Sequence, residues 1–165
     1  MGIKKRFLGS MEDLLLTSGI FLQSEKDLCK SVNELLLNNR TKDFYVSSGN
    51  LPFFVYNNLE TIQSRVLKNG FKLKIATFNK PTLPGFLTIT ENFYNLQNAI
   101  EIYKLKEIPK NICALFGENN FVFSRDGERF NLESHAKRKY VENYKNDFYQ
   151  AKTKSEKIPI EDCFS

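Results

Sequence analysis

A chain with one histidine, His135, and three scattered cysteines, Cys29, Cys113 and Cys163, has few ways to build a nucleophile or a metal site. No C-x-x-C pair occurs, so a zinc centre of Cys and His is not expected, and the sequence predicts neither metal nor cofactor. Ser47-Ser48-Gly49 lacks the G-x-S-x-G turn that presents a nucleophilic serine, and a Ser/His/Asp triad would have to recruit His135. Cys113 sits in an apolar run and reads as core rather than as a reactive thiol. Glu128, Glu133 and Glu142 could cluster, but acidic residues on amphipathic stretches usually face water.

Positive charge is the other chemical resource. Lys and Arg number 24 against 19 Asp and Glu, a formal charge of +5 with a pI near 9.0, which suits an acidic partner such as nucleic acid. The lysines are spread out, densest at Lys4-Lys5-Arg6 and Lys137-Arg138-Lys139, with Lys152, Lys154 and Lys157 beyond. Short runs of this kind read as solvated helix faces. The aromatic pairs Phe53-Phe54 and Phe148-Tyr149 read as packing rather than as base-stacking platforms. No RNP-like strand, Gly-rich phosphate loop or zinc-finger spacing is present.

The elements that must position these groups fit one domain of 165 residues. A hydrophobic fraction of 41% with 26% charged residues excludes wholesale disorder. Residues 1–23 read as an extension without the apolar run of a leader or membrane span, so a reducing, cytoplasmic setting is expected. Met11 to Leu16 predicts a short helix. Ser24 is a candidate N-cap with Asp27 three residues on, followed by Leu28, Val32, Leu35 and Leu36 at helical spacing and a stop at Asn38-Asn39.

Phe44-Tyr45-Val46 predicts a strand ending in Ser47-Ser48-Gly49-Asn50. Pro52 to Lys68 reads as one helix, with Val55, Leu59, Ile62 and Val66 on one face and Asn69-Gly70 closing it. Phe71, Leu73 and Ile75 alternate with lysines, a half-buried strand. A helix between two strands of one sheet makes them parallel, with a right-handed crossover. Both strands then end on one edge, where ligands collect in such sheets. Residues 79–85 form a proline-rich loop, Glu91–Leu96 a short helix, and Ile100, Ile102 and Tyr103 a further strand. Ile112–Phe116 and Phe121–Phe123 make a hairpin across Gly117-Glu118-Asn119-Asn120. Arg125-Asp126-Gly127 is a turn. A long helix from about Ser134 carries Tyr140, Tyr144, Phe148 and Ala151. Pro159 limits it, and 160–165 reads as a loose tail.

This order of elements resembles the phospholipase D-like superfamily, especially its catalytically degenerate members such as the effector domains of archaeal sugar-responsive transcription regulators. The resembling segments are DFYVSSGNLPFF, NNLETIQSRVLKNG running into FKLKIATF, PKNICALFGENNFVFS, and the closing helix YVENYKNDFYQAKTKS. The resemblance implies a single phospholipase D-like α/β domain over residues 24–158, with a mixed sheet and flanking helices. Active members carry H-x-K-x-x-x-x-D, in which His attacks phosphorus while Lys and Asp assist. On that alignment Lys110, Ile112 and Gly117 replace the three groups, and the hydrolytic site is absent.

A competing placement is His135-Ala136-Lys137 with Glu142, which differs from the motif by one methylene. Its intervening residues, Arg138-Lys139-Tyr140-Val141, are not an apolar strand, and a helical period would turn His135 and Lys137 to different sides.

Three functions are therefore expected in descending order. The first is a non-catalytic binding or regulatory module, a homodimer by family resemblance. In it Ser47, Ser48, Asn50, Lys80, Lys110 and Ser124 would form a crevice for a small polar or anionic ligand, in service of a process associated with nucleic acid. The second is a metal-independent phosphodiesterase or nuclease using His135, Lys137 and Glu142. The third is a protein-interaction factor of phage or plasmid origin.

Overall fold

The computed structural model describes residues 21–38, 40–83, 97–125 and 127–163, and no side chain of 21–23 or 69. The helices expected at Met11–Leu16 and Glu91–Leu96, and the basic run Lys4-Lys5-Arg6, lie outside the described residues.

Helix α1 (Glu25–Leu37) begins where Ser24 accepts a 3.3 Å bond from the Asp27 amide and ends at Asn38. Its buried stripe is Leu28, Val32 and Leu36, one residue per turn. Each such side chain contributes about 1.5–3 kcal/mol on leaving water.

The segment expected as one helix from Pro52 is two: α2 (Phe53–Tyr56) and α3 (Leu59–Asn69). Asn58 makes the break. Its buried side-chain amide donates to the Phe54 carbonyl at 2.7 Å, an acceptor that an unbroken helix would give to a backbone amide. The same amide reaches Cys29 O at 3.2 Å, and Asn33 Nδ2 donates to Asn58 Oδ1 and Thr61 Oγ1 at 2.9 and 2.8 Å. The side chain that interrupts the helix thus ties α3 to α1. Gly70 ends α3 at φ 65, a left-handed position that costs glycine little.

Among the described residues, eight strands form one mixed sheet in the order β1-β7-β6-β5-β2-β3-β4-β8. At its centre β2 (Asp43–Ser48) runs parallel to β3 (Lys72–Thr77), pairing Phe44 with Leu73, Val46 with Ile75 and Ser48 with Thr77. Strand β4 (Ile100–Lys104) continues parallel beside β3. On the other side β5 (Ile112–Phe116) is antiparallel to β2 and joins β6 (Asn120–Ser124) in the expected hairpin. The α/β class, the parallel strand–helix–strand unit and the hairpin are those expected from the sequence.

Three short strands complete the sheet, with β1 and β8 at its two edges. β1 (Phe21–Gln23), within the stretch read as an extension, pairs with β7 (Phe130–Glu133), and β8 (Glu156–Ile158) pairs with β4. Each is three or four residues long, too short to carry a periodic signal of its own, and β1 and β8 are held by distant partners.

Alternation along the strands divides the core in two. Phe44, Val46, Leu73, Ile75, Ile102, Ala114 and Phe116 pack under α1, α2 and α3. Cys113, Leu115, Ala76, Tyr103, Phe121 and Phe123 face α4 (Arg138–Thr153) through its Tyr140, Val141, Tyr144 and Phe148. Helix α4 starts at Arg138 rather than near Ser134, because the Ala136 amide is taken by Asn119 O at 2.9 Å. It ends at Thr153, where Ser155 Oγ donates to Ala151 O at 2.6 Å and releases the chain into β8. Residues 160–163, expected to be loose, form a 3-10 turn with Ile160 and Cys163 buried, and Leu83 N donates to Cys163 O at 2.7 Å.

Candidate functional site

The carboxyl ends of β2 and β3 end in matched polar structures. Ser48 and Thr77 are register partners, both without solvent exposure. Thr77 Oγ1 donates to Asn79 O at 2.7 Å, and Ser48 Oγ donates to Asn50 O in the same pattern, each hydroxyl reaching a carbonyl two residues ahead. These contacts curl the two strand ends alike, and Asn79 Nδ2 then bridges them by donating to Asn50 Oδ1 at 2.7 Å. Backbone bonds from Phe78 N to Ser48 O (3.3 Å) and Asn79 N to Gly49 O (3.0 Å) extend the pairing past the strands.

The start of β5 borders the same edge. Cys113 pairs with Ser47 and Ile112 with Ser124, so the antiparallel course of β5 carries Lys110 and Asn111 out beside residues 49–50. The six residues expected to form a crevice therefore share one edge of the sheet, with two different roles. Ser47, Ser48 and Ser124 are buried and engaged in the fold: Ser47 with Tyr144, Ser48 with Asn50, and Ser124 Oγ accepting from Gly127 N at 2.9 Å. Asn50, Lys80 and Lys110 are exposed and form the rim. Asn79, Lys104 at the end of β4 and the buried Asn111 belong to this edge as well. The polar ends visible in sequence could have indicated Asn79; Asn111 carries no local signal.

His135, Lys137 and Glu142 lie elsewhere. The hydrogen bond from Ala136 N to Asn119 O fixes His135 at the β5–β6 turn. That turn is a strand length away from the rim, about 15 Å. All three side chains are exposed, and Glu142 Oε1 is held by Arg138 Nε at 2.8 Å. Among the described residues no three His, Cys, Asp or Glu side chains group so as to hold a metal ion, and no helix is long and apolar enough to cross a membrane.

No family model and no curated protein matches the chain in sequence. Solved structures do match it in fold. TrmBL2, an archaeal chromatin protein whose structure is described as revealing a novel mode of DNA binding, superposes with a TM-score of 0.59 at 14% identity over 93% of this chain. The chain spans 60% of the length of that protein. Nuc from Salmonella typhimurium, a phospholipase D family member, superposes with a TM-score of 0.58 at 9% identity, over 86% of this chain and 98% of Nuc. At such identities the likeness is one of fold, and the expected phospholipase D-like architecture is the one found.

Proposed function

From a phospholipase D-like fold, we propose a non-catalytic binding module that works as a homodimer in a process associated with nucleic acid. Its rim at the ends of β2, β3 and β5 takes a small polar or anionic ligand through Lys80, Lys110 and the paired amides of Asn50 and Asn79. One observation carries this reading. The segment resembling the motif strand of active members is β5, beside β2, and the resemblance aligns its Lys110, Ile112 and Gly117 with the His, Lys and Asp of those members. A primary ammonium at Lys110 can hold an anion's oxygens, but no imidazole is near to attack phosphorus. The DNA-binding chromatin neighbour supports the nucleic-acid association.

Purified protein is expected to leave bis(p-nitrophenyl) phosphate intact in EDTA, to scatter light as a dimer, and to melt higher with inorganic phosphate, an increase that Lys110→Ala removes. EDTA-resistant hydrolysis that His135→Ala abolishes would overturn the reading and establish a phosphodiesterase instead.

A further inference from the structure

The sheet face beside α4 carries a feature unconnected with the rim. In β3, Lys72 and Lys74 alternate with buried Leu73 and so share the α4 side, where their register partners in β2 are Asp43 and Tyr45. Across the groove, Lys145 and Lys152 stand two helical turns apart on α4. Three of these lysines converge on tyrosine rings. Lys74 and Lys145 ammonium groups lie 5.1 and 5.7 Å from the centroid of Tyr45, and Lys152 lies 5.3 Å from Tyr103 and 6.0 Å from Tyr149. Such contacts hold flexible ammonium groups in place on a surface. Four lysines face three carboxylates here. Glu101 is engaged by Lys152 at 3.9 Å, and Asp43, with Glu118 near it, is approached by Lys72, Lys74 and Lys145, so the face keeps a single net positive charge.

Tyr149 supplies what a phosphate-binding surface alone would lack. It is 59% exposed, the first residue of the next turn after the Phe148 that packs edge-on against Tyr45. A large aromatic side chain left open between lysines is the arrangement that single-stranded nucleic acid uses, with phosphates on the cations and a base on the ring. A double helix would need the lysines but not the ring.

We propose that the groove between β3 and α4 binds single-stranded nucleic acid, its phosphates on Lys72, Lys74, Lys145 and Lys152 and one base stacked on Tyr149. This goes beyond the rim ligand, since Lys72 lies toward the amino end of β3 and Lys80 and Lys110 toward its carboxyl end.

The test is fluorescence anisotropy with a labelled oligo-dT of about 20 nucleotides, long enough to exceed a typical site, titrated between roughly 50 and 200 mM salt. In Lys74→Gln/Lys145→Gln the slope of log affinity against log salt should fall by about 0.7 for each lysine lost. Tyr149→Ser should lower affinity about tenfold with the slope unchanged. Lys80→Gln/Lys110→Gln should bind the oligonucleotide as wild type does while losing the response to phosphate. Circular dichroism melts confirm that each variant is folded. The proposal is overturned if wild type does not bind at the lowest salt, if the groove variants bind with unchanged slope, or if Tyr149→Ser has no effect while a duplex of equal length binds as tightly.

Discussion

Tyr144 and Ser47, 97 positions apart, join their hydroxyls at 3.0 Å under α4. The Tyr144 hydroxyl also donates to Cys113 O at 3.4 Å, so one phenol links the closing helix to both β2 and β5. Burial pushes the Tyr144 phenol well above its ordinary value and the Cys113 thiol up likewise. A neutral polar contact in an apolar layer fixes the helix position without the cost of burying a charge.

Tyr144→Phe removes that contact while keeping the ring packed edge-on against Phe121. The expected loss is about 1–2 kcal/mol, since Ser47 is left without its buried partner, and the thermal midpoint should fall by roughly 2–6 °C. Ser47→Ala added to Tyr144→Phe should cost little more than either change alone, because the two residues act as one unit. Additive losses in a double-mutant cycle would refute the coupling.

Arg65 is the second prediction. The residue is 4% exposed, and its guanidinium donates to Asn38 O at 3.2 Å and Thr41 O at 2.5 Å while lying 5.6 Å from the Phe71 ring centroid. It adds a second donor to the carbonyl of the C-cap Asn38, which also accepts from Thr41 N at 3.0 Å, and takes up the Thr41 carbonyl in the loop that follows. Arg65→Met should fill most of the volume and yet lose about 1–3 kcal/mol, because the buried Thr41 carbonyl loses its charged donor. Urea unfolding should show a lower midpoint and an unchanged m-value.

Asp43 gives the third, a dependence on pH. Burial raises its carboxyl above the ordinary value, and the attraction of Lys145, Lys74 and Lys72 only partly opposes this. The folded chain therefore holds a proton there that the unfolded chain has released, and stability falls as pH rises between the unfolded and the folded pKa. Asp43→Asn removes this loss. The variant should melt higher than wild type at pH 7, and the gap should close as pH drops below the ordinary carboxylate range. A gap that widens in acid would mean that the lysine pairing outweighs the burial.

Local chemistry made much of the fold legible from the sequence. Ser24 and Gly70 mark helix ends through their own side chain or its absence, and alternation at Phe71, Leu73 and Ile75 gives a strand its buried face without reference to any partner. Asn58 was misleading, because an asparagine inside a helical period discloses its role only once Cys29 and Phe54 are in place around it. The short strands β1, β7 and β8 exist by pairing, and for the edge strands β1 and β8 that pairing is nonlocal. The site divides in the same way. The polar strand ends Ser47–Asn50 were readable, but the burial of Ser47 against Tyr144 depends on a helix nearly a hundred residues away. The exposure of Tyr149, one position from buried Phe148, was hidden in an aromatic pair read as packing.

Ser48 and Thr77 spend their hydroxyl protons on the carbonyls just ahead of them, which leaves the neighbouring asparagines to present amides outward. Amides neither gain nor lose a proton in ordinary buffers, and the lone imidazole of the chain stands at the far end of β5. The asparagine bridge and the imidazole would thus leave the occupancy of that edge unchanged across the mildly acidic range, so a change there would report the guest or the carboxylates Glu161 and Asp162 that share the surroundings of Cys163 with Lys80.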